Sequence, residues 1–248
     1  MYETVLPLVT DTFSLVERRV APPRRVLFGR QTTYRFVEKQ PEQAILLKLA
    51  RVATGLQTCF LVLEAGFTQE VGALQRIVDE LCSDIAFLTA PLVGFPREPA
   101  HDQYLNDFFA EEYTDPENVV GSAQKRDRVP RRKIRAYLAR MLNSDEPAST
   151  VIATSEALEN AYSGFVHGAG VHTMDTFFGN PPRFHIDGTD QSPFLDDHYR
   201  DFRNYLHRAL GASAMAAKSV DEGEYCMALT QRSNELAIEY RLWPDGKL

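Results

Sequence analysis

The sequence contains few cysteines, and their placement excludes two common classes of small, cross-linked protein. Cys59, Cys82 and Cys226 are the only three among 248 residues, and they follow neither a disulfide framework nor the paired spacing of a zinc site. We interpret them as reduced, buried thiols, which favours the cytoplasm as the location.

Long hydrophobic runs are also lacking, and a leader sequence is not expected. No stretch approaches 18 uninterrupted apolar residues, so a transmembrane helix and a membrane partner are not expected. The N-terminal residues MYETVLPLVTDTF carry early acidic side chains and no basic segment before an apolar run, which argues against a secretory signal.

What is present is an ordinary globular composition, with 44% hydrophobic and 25% charged residues. We detect no internal repeat and no low-complexity linker, so residues 1–248 are expected to form a single all-α domain. Within it we distinguish an N-terminal helix with an irregular arm (1–40), a helical hairpin followed by acidic and basic helices (41–145), and C-terminal helices with a His/Asp-rich loop (146–248).

The hairpin is the clearest structural pattern in the chain. Apolar residues recur with alternating steps of three and four over two segments, about 42–65 and 68–90, which is typical of the seam of an antiparallel helical pair. Gly66 suits a helix end that needs a positive φ, and Thr68 is the expected cap of the second helix. The sequence therefore predicts an all-α multi-helix bundle built on this hairpin.

Charge is distributed unevenly, although the net charge is only −7. Residues 98–117 carry seven acidic side chains and no basic one, whereas residues 125–140 carry eight basic side chains and one acidic one. The basic helix is a candidate site for RNA or another anionic ligand through Arg131, Arg132, Lys133 and Arg135. The alternative, which we favour, is that the two adjacent segments neutralise each other within the fold.

Histidines and aspartates are concentrated in one part of the chain. Five of the six histidines fall within residues 167–207, interleaved with aspartates, and both side chains are ligands for transition metals. The candidate ligands are His167, His172, Asp175, His185 and His198. Their spacing matches neither a metalloprotease helix nor a carboxylate-bridged di-metal bundle, so helix-end contacts and turn formation are the competing interpretation.

Two smaller polar groups are further candidates. Tyr162, Ser163 and His167 lie near one another on a predicted helix, but a serine inside a helix lacks the oxyanion hole of a hydrolase, so a polar cluster between helices is the better interpretation. Arg76 and Glu80 form an i,i+4 pair off the hairpin seam. We expect this pair on a solvated face; if a third helix covers it, the pair becomes a polar core cluster and a candidate site.

The segment RDFRNYLH contains Arg200 and His207 with Asp201 after the arginine, and it resembles the Arg/His motif of the all-helical HEPN ribonucleases. That resemblance implies metal-independent RNA cleavage, with His207 as general acid or base and Arg200 at the scissile phosphate. The chain from about Val26 onward, including VPRRKIRAYLAR, also resembles a group of uncharacterised bacterial helical proteins, which implies a bacterial origin and an all-α fold.

Three functions remain open on this reading. The first and favoured one is a binding or regulatory protein, with a homodimer through the heptad seam or through aromatic residues 104–113 as its candidate assembly. The second is a HEPN-like ribonuclease or RNA binder. The third is a helical protein that binds a transition metal through the His/Asp-rich segment.

Overall fold

The computed structural model describes residues 1–141 and 148–242, of which 66% are helical and 7% are in strands. This confirms the predicted all-α class. The helices are α1 Tyr2–Arg19, α2 Pro41–Glu64, α3 Thr68–Thr89, α4 Pro99–Phe108, α5 Arg131–Met141, α6 Ala148–Val166, α7 Gly170–Thr173, α8 Leu195–Lys218 and α9 Gly223–Glu239.

The antiparallel hairpin of α2 and α3 forms the centre of the bundle. The seam residues predicted on α2 are all buried, and those on α3 are buried except Leu74, which is partly exposed. Gly66 ends the first helix with φ of +76°, as expected. Thr68 does not cap α3: it is the first helical residue and is buried, while Phe67 occupies the cap position without a side-chain hydrogen bond.

The other long helices pack around this hairpin. α8 contacts α1, α2, α3 and α9, and α6 crosses α3 on another side with α5 beside it. Helix α8 buries a row of side chains that includes Phe202, Leu206 and Leu210. The core thus runs along both sides of α3, and α3 supplies three of the eleven residues that line the site described below.

Two short antiparallel hairpins interrupt the helices. Strands β1 (Arg24–Phe28) and β2 (Gln31–Arg35) pair within the segment expected to be irregular, and β3 (Phe177–Phe178) and β4 (Arg183–Phe184) pair within the segment expected to be loop. Helix α4 ends at Phe108, so residues 109–113 of the aromatic segment 104–113 lie beyond it.

Helix α2 is, within the described residues, the one helix long and apolar enough to cross a membrane. Of its most hydrophobic window, 44% is buried inside the bundle. Its apolar character is accounted for by its position at the centre of the core, which is consistent with a soluble protein.

Candidate functional site: an ion-paired cleft among four helices

The candidate site is a cleft of about 170 Å³ enclosed by α3, α5, α6 and α8. Close packing of α6 on α3 forms one wall, and it depends on Gly72, where an added Cβ would lie 2.5 Å from the Phe165 ring. The lining combines polar and apolar side chains from all four helices: Asp79, Glu80, Ser83, Arg131, Arg135, Leu138, Ala139, Ser155, Leu158, Glu159 and Arg208.

Glu159 on α6 is the carboxylate that joins α3 to α5. Arg76 donates to its Oε1 at 3.0 Å and to its backbone carbonyl, and Arg135 forms an ion pair with the same carboxylate. Arg76 also pairs with Glu80 at 3.0 Å, as the i,i+4 spacing predicted. The expected solvated face is nevertheless wrong for Arg76, because α6 covers it and leaves its side chain only 20% exposed.

A second ion pair lies on the α8 side of the cleft. Arg208 on α8 contacts Asp79 on α3, with 2.7 Å between Nη2 and Oδ1. Cys82, one turn further along α3, is buried, and burial raises the pKa of its thiol to about 12. At neutral pH this thiol therefore stays protonated, so the ionic groups of the cleft are the arginines and carboxylates.

Asp84 lies just beyond the cleft and anchors Arg131. Its carboxylate accepts hydrogen bonds from Lys48 Nζ at 2.8 Å and Tyr104 Oη at 2.6 Å, and it forms an ion pair with Arg131 Nη1. The Asp84 side chain is 7% exposed, so this is a buried, multiply satisfied carboxylate. Burial, followed by the charge of Asp84, raises the pKa of Tyr104 and keeps its hydroxyl a donor.

Two hydrogen-bond donors on arginines that line the cleft remain unused by the described part of the protein. The Nε atoms of Arg131 and Arg135 are buried and have no acceptor among the described residues. Buried polar groups without a partner are rare in native proteins and point to a bound water, ion or ligand. Both guanidinium groups are held in place by ion pairs, so these N–H groups are pre-oriented donors.

The basic segment is thus divided between two roles. Arg126 pairs with Asp107 and Glu112, and Arg140 pairs with Glu98, so the acidic segment neutralises part of it as favoured above. Of the four residues predicted to bind an anion, Arg131 and Arg135 lie in the cleft, whereas Arg132 and Lys133 are exposed on the outer face of α5.

The predicted metal ligands fall into separate places. His172 packs against the Phe165 ring with 4.2 Å between centroids, and the His198 ring lies 6.0 Å from the same ring. Asp175 and His185 instead line a small cavity beside the α2–α3 turn, and His167 is exposed. Across residues 1–141 and 148–242, no three His, Cys, Asp or Glu side chains are arranged to hold a metal ion.

The predicted Tyr162, Ser163 and His167 group does not form around Tyr162. The Tyr162 hydroxyl donates to Asp201 Oδ2 of α8 at 2.9 Å, and its ring packs edge-on against Tyr205. Burial is the main cause that raises the pKa of Tyr162. The hydroxyl therefore joins α6 to α8 as a structural donor.

Arg200 and His207 share α8 but lie in different environments. Arg200 is 69% exposed and pairs with Asp197 one turn away at 2.9 Å, whereas His207 is half-buried. Burial and the neighbouring Arg208 lower the pKa of His207. Neither residue lines the cleft.

Sequence reasoning found four residues of the cleft region, Arg76, Glu80, Arg131 and Arg135, but did not find their partners. Glu159 and Arg208 lie 83 and 132 positions along the chain from Arg76, so no local spacing relates either of them to it. The available signal for Glu159 was that the predicted helix around residues 148–166 carries two acidic residues, Glu156 and Glu159, and no basic one.

Comparison of the chain with protein-family models, with curated proteins and with solved structures gave no match in any of the three. The resemblance to HEPN ribonucleases and to bacterial helical proteins therefore stays an expectation, and the function is argued from the geometry of the cleft.

Proposed function

We propose that this protein is a ligand-binding protein whose cleft between α3, α5, α6 and α8 takes a small molecule bearing an oxyanion, a phosphate or a carboxylate. The observation that supports this most directly is the pair of buried Nε–H donors of Arg131 and Arg135 without an acceptor in the described structure. Guanidinium groups suit phosphate and carboxylate because their planar N–H donors match the spacing of the oxygens in both oxyanions.

The carboxylates that share the cleft do not oppose this ligand, because each already has a cation partner. Asp79 is paired with Arg208, Glu80 with Arg76, and Glu159 with both Arg76 and Arg135. Their charges are thus compensated inside the protein, and the Nε–H groups of Arg131 and Arg135 remain as donors without an acceptor among the described residues. An oxyanion supplies the acceptors that these donors lack.

The volume of the cleft limits the size of the group that enters it. About 170 Å³ accommodates a phosphate or a carboxylate with a few attached atoms, but not a nucleic-acid chain. We therefore propose a regulatory or binding role for a small metabolite, in the cytoplasm, with no chemical step.

The test is a thermal-unfolding titration with inorganic phosphate, and with acetate as the carboxylate probe, against chloride at constant ionic strength. A ligand that binds the native state raises the melting temperature by mass action. We expect phosphate or acetate to raise it for the wild type. Arg135→Lys should abolish most of this rise, because lysine keeps a positive charge near Glu159 but has no Nε–H in the same place.

Arg132→Lys is the matched control, since it makes the same change three residues away on the exposed face of α5. It should behave as the wild type. The proposal is contradicted if neither anion stabilises the wild type, or if the two lysine variants respond alike.

RNA binding is a second candidate, favoured by one observation. Lys125, Arg128, Arg132 and Lys133 are exposed and form no ion pair within the described residues. Such a surface would bind RNA with a strong dependence on salt. Fluorescence anisotropy with a single-stranded RNA at 50 and 200 mM salt tests it: Arg132→Gln should weaken RNA binding, whereas Arg135→Lys should not.

A further inference from the structure

A second cavity, remote from the cleft lining, lies between the β1–β2 hairpin, helix α2 and the end of α4. It is a groove of about 750 Å³, within the range of pockets that bury a drug-sized ligand. Its walls are mainly aromatic and aliphatic, and they come from three separate parts of the chain: Val26, Tyr34, Phe36, Leu47, Phe108 and Phe109.

Several of these apolar side chains face solvent in the absence of an occupant. Tyr34 is 62% exposed and Leu47 is 40% exposed, and the adjacent Val37 is 51% exposed. Phe108 is backed on its other side by Lys48, whose Nζ lies 5.0 Å from the ring centroid. The groove therefore has a fixed aromatic floor and a rim that a bound apolar chain would cover.

The charged side chains that line the groove, Arg35, Lys39 and Glu111, leave one net positive charge. Arg35 holds Glu111 through two bonds of 2.6 and 3.0 Å, and its third nitrogen donates to Thr33 Oγ1 and the Tyr34 carbonyl, so both members of this pair are saturated. Lys39 also lines the groove; it makes no direct hydrogen bond or ion pair with any described residue, although, after the hydrogen bond from Arg35, its charge contributes to the lowered pKa of Glu111. Its φ of +54° is rare for a residue other than glycine.

We infer that this groove binds an amphipathic small molecule with an unbranched apolar chain and a single carboxylate. The chain lies against Leu47 and the Phe108–Phe109 floor, and the carboxylate meets the ammonium group of Lys39. The charge at the rim complements one anionic head group, and the apolar walls leave no partner for a second.

Dodecanoate is the probe, titrated below its micellar concentration and followed by displacement of 8-anilinonaphthalene-1-sulfonate fluorescence and by calorimetry. We expect saturable 1:1 binding of dodecanoate and weaker binding of dodecyltrimethylammonium, which has the same chain and the opposite charge. Lys39→Asn should weaken dodecanoate binding about fivefold, because it removes one exposed ion pair. Asparagine tolerates the positive φ, so the fold is retained.

Leu47→Glu places a carboxylate in the groove wall and should weaken dodecanoate binding at least about tenfold. Leu61→Glu is the matched control on the same helix, since Leu61 is 67% exposed and does not line the groove. Arg135→Lys should leave dodecanoate binding unchanged, which separates this site from the cleft. Three results would each overturn the inference. They are a lack of saturable dodecanoate binding, equal binding of dodecyltrimethylammonium, and equal effects of Leu47→Glu and Leu61→Glu.

Discussion

Among single residues, Gln75 departs most from ordinary packing. It is fully buried on α3, and neither atom of its amide group has a hydrogen-bond partner among the described residues. An amide without partners in the interior loses its hydration and gains nothing in exchange. Gln75 therefore lowers the stability of the bundle.

Replacing Gln75 by methionine removes this penalty at nearly constant volume. We expect Gln75→Met to raise the free energy of unfolding by about 1–3 kcal/mol, the usual cost of a buried unsatisfied polar group. Urea denaturation at equilibrium measures it. As a control, Gln57→Met on the exposed face of α2 should change the free energy of unfolding by less than about 0.5 kcal/mol. If Gln75→Met is instead less stable than the wild type, the Gln75 amide has a hydrogen-bond partner in the folded protein.

The residues of the cleft show what a sequence can and cannot reveal at this scale. Arg76 and Glu80 were identified from their i,i+4 spacing, because that relation is local. The ion pair between Arg76 and Glu159 spans 83 positions and exists only because α6 lies across α3. Local spacing carries no information on such a contact, so the sequence pattern identified Arg76 but not Glu159.

At the scale of whole helices, two helical glycines differ in how much space the neighbouring residues leave for a Cβ atom. Gly72 on α3 faces Phe165 of α6, where a Cβ would sit 2.5 Å from the ring, whereas Gly211 on α8 has nothing within 4 Å of that position. The first glycine is therefore needed for the α3–α6 contact that encloses the cleft. The second carries only the entropic penalty of glycine in a helix.

The same substitution at the two sites should have opposite effects. Gly72→Ala should force α6 away from α3, destabilise the protein by about 1–3 kcal/mol and remove the stabilisation by phosphate. Gly211→Ala should stabilise the protein by about 0.5–1 kcal/mol and leave the phosphate effect intact. Thermal unfolding of both variants with and without phosphate checks this, and a Gly72→Ala protein as stable as the wild type would show that α6 can shift freely.

Helix positions could be predicted where apolar residues recur with a regular period. The two seams of the α2–α3 hairpin are long and regular, so their positions were read to within one residue. The β1–β2 hairpin was expected only as part of an irregular arm, because two of the five residues of β1 and four of the five residues of β2 are charged or otherwise polar and alternation is weak. Phe109 belongs to the aromatic segment 104–113, but it lies just after the last residue of α4. The chain there turns toward Arg126 and its partners.

In the whole molecule, two buried histidines and one half-buried histidine couple stability to pH. Burial is the leading cause that lowers the pKa of His101, His198 and His207 below the ordinary value of 6.5. In the neutral ring, Nδ1 of His101 accepts a hydrogen bond from the Glu98 backbone N–H at the start of α4, and the Glu98 carbonyl lies 3.1 Å from the same atom. Its ring also stacks on Phe87 with 4.1 Å between centroids.

These shifts fix the sign of the pH dependence. Since the folded-state pKa values lie below 6.5, the unfolded chain binds more protons once the pH falls through 6.5, and stability is lost on acidification. We expect the melting temperature to fall between pH 7.5 and pH 5.5. Carboxylates with lowered pKa values, such as Glu111, add to the loss only at pH values below about 4.5.

His101→Gln isolates one contribution, because glutamine keeps an acceptor for the capping bond and does not titrate. The loss of melting temperature over this pH range should be smaller in the variant, with the remainder due to His198 and His207. An equal loss in the two proteins would mean that His101 is not protonated on unfolding within this range.

Asp84 has a further consequence for how the molecule opens. One carboxylate on α3 bonds Lys48 of α2, Tyr104 of α4 and Arg131 of α5, so no one of these helices can detach without leaving a charge or a hydroxyl unsatisfied in the interior. Partial unfolding that begins at α9 or at the β3–β4 hairpin meets no such penalty. The four helices joined at Asp84 thus form the last cooperative unit to exchange their amide hydrogens with solvent, and the floor of the groove and one wall of the cleft belong to it.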